Sequence, residues 1–201
     1  MSRLRKALRG VGAVDSVPGG YRLPVGAGDV DAYRFEELAG LGRRELAAGR
    51  ADEAATVLGS ALALWRGAAL ADVLEAPFAR GFASRMDEVR AGAAEDRFDA
   101  ELRLGRHAEV LADLEVAGGE RPLSERLAGL RMRALAAAGR QSDALAVYEE
   151  TRGRLGEELG VDPSAELREI HLALLRGELE QPVARDHVPV PLDEPFGPDG
   201  V

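Results

Sequence analysis

An all-α fold of stacked helical hairpins is the architecture that the sequence predicts, and three observations carry it. Ala, Leu, Gly and Arg dominate the 201 residues, while aromatic residues make up only 4%. That composition favours packed helices over sheets. From Asp31 to about Glu180 apolar residues recur at helical rather than alternating spacing. Finally, three segments share one internal pattern: "LAAGRADEAATVLGSAL", "LRLGRHAEVLADLEVAG" and "LAAAGRQSDALAVYEET".

The pattern is counted from the glycine of each Gly-Arg pair, Gly49, Gly105 and Gly139. A small or β-branched residue follows five positions on (Ala54, Val110, Ala144), and a large apolar residue nine positions on (Leu58, Leu114, Tyr148). Ala61, Ala117 or Thr151 stands twelve positions on. Glycine lets one helix end in a left-handed cap, and the small residue lets the next helix pack close against it. Gly105 and Gly139 lie 34 residues apart, the tetratricopeptide (TPR) period. Hairpins of this kind stack and bury a shared core.

The elements follow in order. Leu4 and Leu8 give Ser2–Arg9 one apolar helical face beside Arg and Lys, and Gly10 and Gly12 end it. Val14–Val17, the turn Pro18-Gly19-Gly20 and the alternating Tyr21–Val25 predict a small β-hairpin, with Gly26–Asp29 as a linker. Asp31 is expected to cap a first helix whose face includes Phe35, Leu38, Leu41 and Leu46. Gly49 and Gly105 are 56 residues apart, so the array is interrupted. The interruption has room for "LWRGAALADVLEAPFARGF", a loop or short helix that packs aromatics, the only Trp among them, under the stack. Asp162 followed by Pro163 predicts a cap and first residue for a last helix, with Leu167, Ile170, Leu174 and Leu175 as its buried stripe. After Gln181 the chain is proline-rich and acidic, which predicts a disordered tail.

Composition excludes several chemistries. With no Cys there are no disulfides, thiolate metal sites or thiol catalysis. No apolar run approaches the roughly 20 residues of a membrane helix, and the start lacks the apolar core of a signal peptide. No membrane association and a cytoplasmic location are therefore expected. The net charge of −9 argues against broad affinity for nucleic acid, yet Arg3, Arg5, Lys6 and Arg9 form a basic head with no acid among residues 1–10.

Reaction centres are equally hard to find. His107, His171 and His187 are scattered, and none has a second His four positions on; no metal site is expected. Glu149-Glu150 and Glu157-Glu158 are neighbours that point about 100° apart on a helix, so they suit a solvated face better than acid–base work. The single Lys, Lys6, has no Walker glycines before it, and "GVG" at 10–12 lacks the strand and helix of a dinucleotide site. No catalytic residue, no cofactor and no enzyme activity is expected. What remains is a basic head and a helical-repeat body, both suited to recognition.

The segments "SRLRKAL", "SVPGGYRLPV", "DVDAYRFEELAGLG", "ALALWRGAALADV" and "ALAVYEETRGRLGEELGVDPSAELREIHLALL" resemble the Streptomyces antibiotic regulatory protein family, with "GGYRL…VDAYRFEEL" and "EELGVDPSAELREIH" the most specific parts. The resemblance covers nearly the whole chain except the tail. It implies that residues 27–181 form a TPR-like bacterial transcriptional activator domain, followed by the tail at 182–201. It also implies that residues 1–26 correspond to the end of a winged helix-turn-helix of the OmpR/PhoB type. "SRLRKAL" would be the last half of its recognition helix and "VDSVPGGYRL" its wing. The helices that precede these in the family are absent from this sequence. Arg3, Arg5, Lys6 and Arg22 are then the candidate DNA contacts, weak and salt-dependent without the helix that normally braces the recognition helix. The implied function is a transcriptional activator acting on a secondary-metabolite gene cluster. Promoter DNA, its binding weak or lost without those helices, is one expected partner, and the transcription machinery or a second copy (a homodimer) another. The residues alone also allow a stand-alone TPR-like adaptor that binds a protein partner and no DNA.

Overall fold

Seven α-helices and one two-stranded hairpin make up the described part of the chain, residues 15–22 and 24–179 of a computed structural model. Strands β1 (Asp15–Val17) and β2 (Gly20–Arg22) pair antiparallel, with Asp15 opposite Arg22 and Ser16 opposite Tyr21. Pro18 and Gly19 make the turn, and Gly19 takes the positive φ of +86° that the third position of a type II turn demands. A single 3₁₀ turn, Ala27–Asp29, leads from the hairpin into the helices. The predicted head helix, with Arg3, Arg5 and Lys6, and the predicted tail lie outside the described residues.

The helices are α1 (Asp31–Ala47), α2 (Ala51–Leu62), α3 (Ala79–Arg103), α4 (His107–Glu120), α5 (Glu125–Ala137), α6 (Gln141–Leu159) and α7 (Ala165–Arg176). They form the hairpins α1–α2, α3–α4 and α5–α6, with α7 laid on the last. At each turn the Gly-Arg pair closes the first helix. In the middle hairpin the Gly105 N–H donates to the Leu102 carbonyl at 3.0 Å and the Arg106 N–H to the Glu101 carbonyl at 3.0 Å. This is the Schellman arrangement, and it requires the left-handed glycine; φ is +79°, +76° and +74° at Gly49, Gly105 and Gly139.

The spacing read from the sequence locates the core. Ala54, Val110 and Ala144 are buried, as are Leu58, Leu114 and Tyr148 nine positions after each glycine. Phe35, Leu58 and Met86 join α1, α2 and α3. Phe98, Leu114 and Leu130 join α3, α4 and α5, and Met132, Tyr148 and Leu167 join α5, α6 and α7. Every cluster thus bridges one hairpin to the next, which is how a helical-repeat stack is held together. The odd-numbered helices α1, α3, α5 and α7 pack successively on one another along one side.

Three local expectations need correction. Asp31 is the first helical residue and Val30 the cap position, without a side-chain capping bond; Asp31 Oδ1 instead accepts from the Ala32 N–H at 2.9 Å. At α7 the cap is Ser164, whose Oγ accepts from the Leu167 N–H at 3.3 Å. Asp162 and Pro163 stand just ahead of it, because two good capping residues lie two apart and the chain uses the second. Leu175 is 57% exposed. The buried stripe follows Leu167, Ile170 and Leu174, and one position further turns to a side that no described helix covers. The interruption between α2 and α3 is a loop with one 3₁₀ turn, Ala71–Val73. Trp65 stands edge-on to Phe35, ring centres 5.3 Å apart, whereas Phe78 stays 68% exposed.

Candidate functional site

Of the four residues proposed from the sequence as DNA contacts, the described structure places one. Arg22 lies at the end of β2, 69% exposed at its side chain, with its guanidinium 3.7 Å from Asp15 on the facing strand. Nothing else in the described structure engages it.

A second set of charges was invisible as a site in the sequence. On α3, Asp96, Asp99 and Arg103 fall on one helical face at spacings of three and four. Asp96, only 5% exposed at its side chain, accepts a bond from Arg43 Nε of α1 at 2.9 Å and another from Arg126 of α5. Asp99 accepts from Arg103 Nη2 at 2.7 Å and from Arg133 of α5. Arg103 reaches on to the Leu46 carbonyl at the end of α1, 3.2 Å away. Two buried carboxylates, each gripped by two arginines, therefore tie α1, α3 and α5 together along the side where these helices meet. Their signal was present as acids three apart on one helix and an Arg-rich helix two further on, "ERLAGLRMR". Charged residues at helical spacing read as solvated, so the pairing could not be assigned.

Burial by itself would raise the Asp99 carboxyl, but the hydrogen bonds and charges of Arg133 and Arg103 hold it below its ordinary value of 3.8. A depressed carboxyl stabilises the fold above its unfolded pKa, and this contribution is lost as pH falls through the folded value. The stability difference between the parent chain and Asp99→Asn is expected to be constant from neutral pH down to about pH 4 and to shrink below it. Urea melts across that range measure this; a difference that shrinks between pH 7 and 5 would contradict it.

One concave feature is a recess of about 520 Å³ between α1, the start of α3 and the loop after α2; another of about 500 Å³ lies between α3, α4 and the start of α5. Phe35, Trp65, Phe82 and Met86 line the first, and Asp31 and Arg66 stand at its open side, bonded at 3.4 Å. The Arg90 guanidinium lies over the Trp65 ring, 4.8 Å from its centre. Trp65 Nε1 is cut off from solvent without a hydrogen-bond partner among the described residues. An unmade bond of that kind costs about 1–3 kcal/mol.

Among the described residues the carboxylates and histidines flagged from the sequence do not converge, and His187 lies outside those residues. Glu149 pairs with Arg152 at 2.7 Å and Glu150 with Arg154 at 2.9 Å, each on the surface of α6. The His171 ring lies flat on Tyr148, centres 3.8 Å apart. Among the described residues no three His, Asp or Glu side chains gather that could hold a metal, and no helix is long and apolar enough to cross a membrane.

Glycine-ended hairpins stacked behind a small β-hairpin define a TPR-like helical scaffold, a class that works by recognition. The chain belongs to the bacterial transcriptional activator domain family, whose model matches residues 30–175. It is 41% identical to the regulatory protein DnrI of Streptomyces peucetius over 80% of this chain and 59% of that one. With the regulatory protein AfsR of Streptomyces griseus it shares 41% identity over 96% of this chain but 19% of the relative. A solved structure of Mycobacterium tuberculosis EmbR, in complex with a low affinity phosphopeptide, superposes with a TM-score of 0.79 at 35% identity. That match covers 88% of this chain and 48% of the other. The chain thus spans from about a fifth to somewhat over half the length of these relatives. The matches bear out the family resemblance drawn from the sequence.

Proposed function

We propose that this chain is a DNA-binding transcriptional activator of its family, working in the cytoplasm. Residues 1–26 supply the DNA contacts, and the helical body at 27–181 supplies contacts with the transcription machinery or a second copy. The observation that carries this reading is the family match over residues 30–175 with an arginine-bearing β-hairpin set directly ahead of it. The names of the relatives, all regulatory proteins, favour it over a stand-alone adaptor. Arg3, Arg5, Lys6 and Arg22 are the proposed contacts, to phosphates or base edges. Against the overall charge of −9, four cations give modest affinity that falls steeply with salt.

Fluorescence anisotropy with a labelled promoter fragment tests this. Binding is expected at low salt and should weaken linearly in log K against log salt. Arg22→Ala is expected to flatten that slope by about 1 if Arg22 holds a phosphate. Absence of any salt-dependent binding, or an unchanged slope and affinity in both Arg22→Ala and an Arg3/Arg5/Lys6→Ala chain, would overturn the assignment of these residues.

A further inference from the structure

We propose that the recess between α1, α3 and the loop after α2 is a ligand site for one planar aromatic molecule whose polar edge accepts from Arg66. Its size, about 520 Å³, falls among small-molecule pockets. The walls are of the right kind. Trp65 and Phe82 are half-buried and give the recess its accessible ring surface, over a floor of Phe35 and Met86 that is closed to solvent. At the open side the Arg66 guanidinium spends one donor on Asp31 at 3.4 Å and, with five in its fork, has others to give.

Two further observations set this recess apart from a packing defect. Leu70, one of its lining residues, sits at φ +54°, ψ +29°, the left-handed region, and is the only non-glycine residue there among those described. A bulky side chain is disfavoured in that conformation, and such strain gathers at ligand clamps. Val73 is the second: another lining residue of the same loop, an apolar side chain left 45% exposed. A loop that merely closed the gap between two hairpins would need neither. The proposal stands apart from the DNA-binding reading, since it depends on residues 31–86 alone.

The chain's only Trp lies in this wall, which makes binding directly visible. The full chain is titrated with 1-anilinonaphthalene-8-sulfonate and, in parallel, with its uncharged relative N-phenyl-1-naphthylamine, exciting the indole and reading energy transfer to the probe. Saturable binding of one probe per chain, with transfer from Trp65, is expected for both. Ala68→Phe, which adds a ring at an exposed lining residue, should abolish it with the helical circular dichroism and melting temperature retained. Arg66→Ala should weaken the sulfonate by about tenfold, the size of one charge-assisted hydrogen bond, and leave the uncharged probe unchanged. Absence of transfer in the parent chain, transfer that survives Ala68→Phe, or equal losses of both probes in Arg66→Ala would overturn the proposal. Should Ala68→Phe fail to fold, the comparison of the two probes on Arg66→Ala still decides it.

Discussion

Removing both arginines from Asp96, in an Arg43→Ala/Arg126→Ala chain, is expected to destabilise the fold by about 3–5 kcal/mol, the penalty for stranding a buried charge. The asymmetry of the cluster makes the arginines the more damaging loss. Asp96 is 5% exposed at its side chain, whereas Arg43 and Arg126 are 62% and 44% exposed. Stripped of Asp96 the arginines rehydrate; stripped of them, Asp96 cannot. Either single replacement leaves the carboxylate one partner, so the two losses should combine to more than their sum, a coupling that a double-mutant cycle reads directly. Adding Asp96→Asn to the double variant removes the stranded charge and should recover at least half of the loss. Urea midpoints at constant slope measure all four chains. Additive losses with no recovery from Asp96→Asn would show that the pairing is a surface ornament.

The second large effect lies where α1 meets α2. Gly42 and Leu58 touch so closely that a Cβ added to Gly42 would lie inside the Leu58 side chain, 2.7 Å from its Cδ2. Leu58 is wholly buried. Leu58→Ala is expected to lose about 2–5 kcal/mol through the cavity it leaves, and Gly42→Ala about 1–3 kcal/mol through overpacking. Combined, the new methyl enters the space the leucine vacates, so the double variant should be more stable than the sum of the two losses predicts. Gly129 is a built-in contrast. A Cβ there meets the Ile170 Cδ1 atom at 2.9 Å, the far end of a side chain that can move aside, and Gly129→Ala should be nearly silent. Strict additivity in the Gly42/Leu58 pair would mean that the two helices part rather than repack.

These two cases also mark what the sequence could tell. The Gly-Arg spacing alone identifies Ala54, Leu58 and Leu114 as core, because the left-handed cap fixes where the next helix starts and 3.6 residues per turn then fixes which side chains point inward. The same logic places the hairpin turn at Pro18-Gly19. It could not find Asp96, since a helical acid surrounded by polar neighbours has the pattern of a solvated face and only the approach of α1 and α5 buries it. Choosing Ser164 over Asp162 as the cap, or turning Leu175 outward, is likewise decided by how α7 lies on α5 and α6. The recess is invisible for a related reason. "LWRGAALADV" names an aromatic loop, but the space exists only where that loop passes over α1 and the start of α3.

The interruption in the repeat has a practical outcome. About half of the extra residues enter between hairpins, in the loop after α2, and the rest lengthen α3 (Ala79–Arg103), so no glycine-capped turn is broken by them. Scaffold and loop are therefore expected to be separately editable beyond Ala69, which packs on the first core cluster: changing the length of residues 70–78 should leave the helices in registry. In effect the chain carries a replaceable cartridge on a fixed frame, and a change of cargo there need not disturb the load path through α1, α3 and α5.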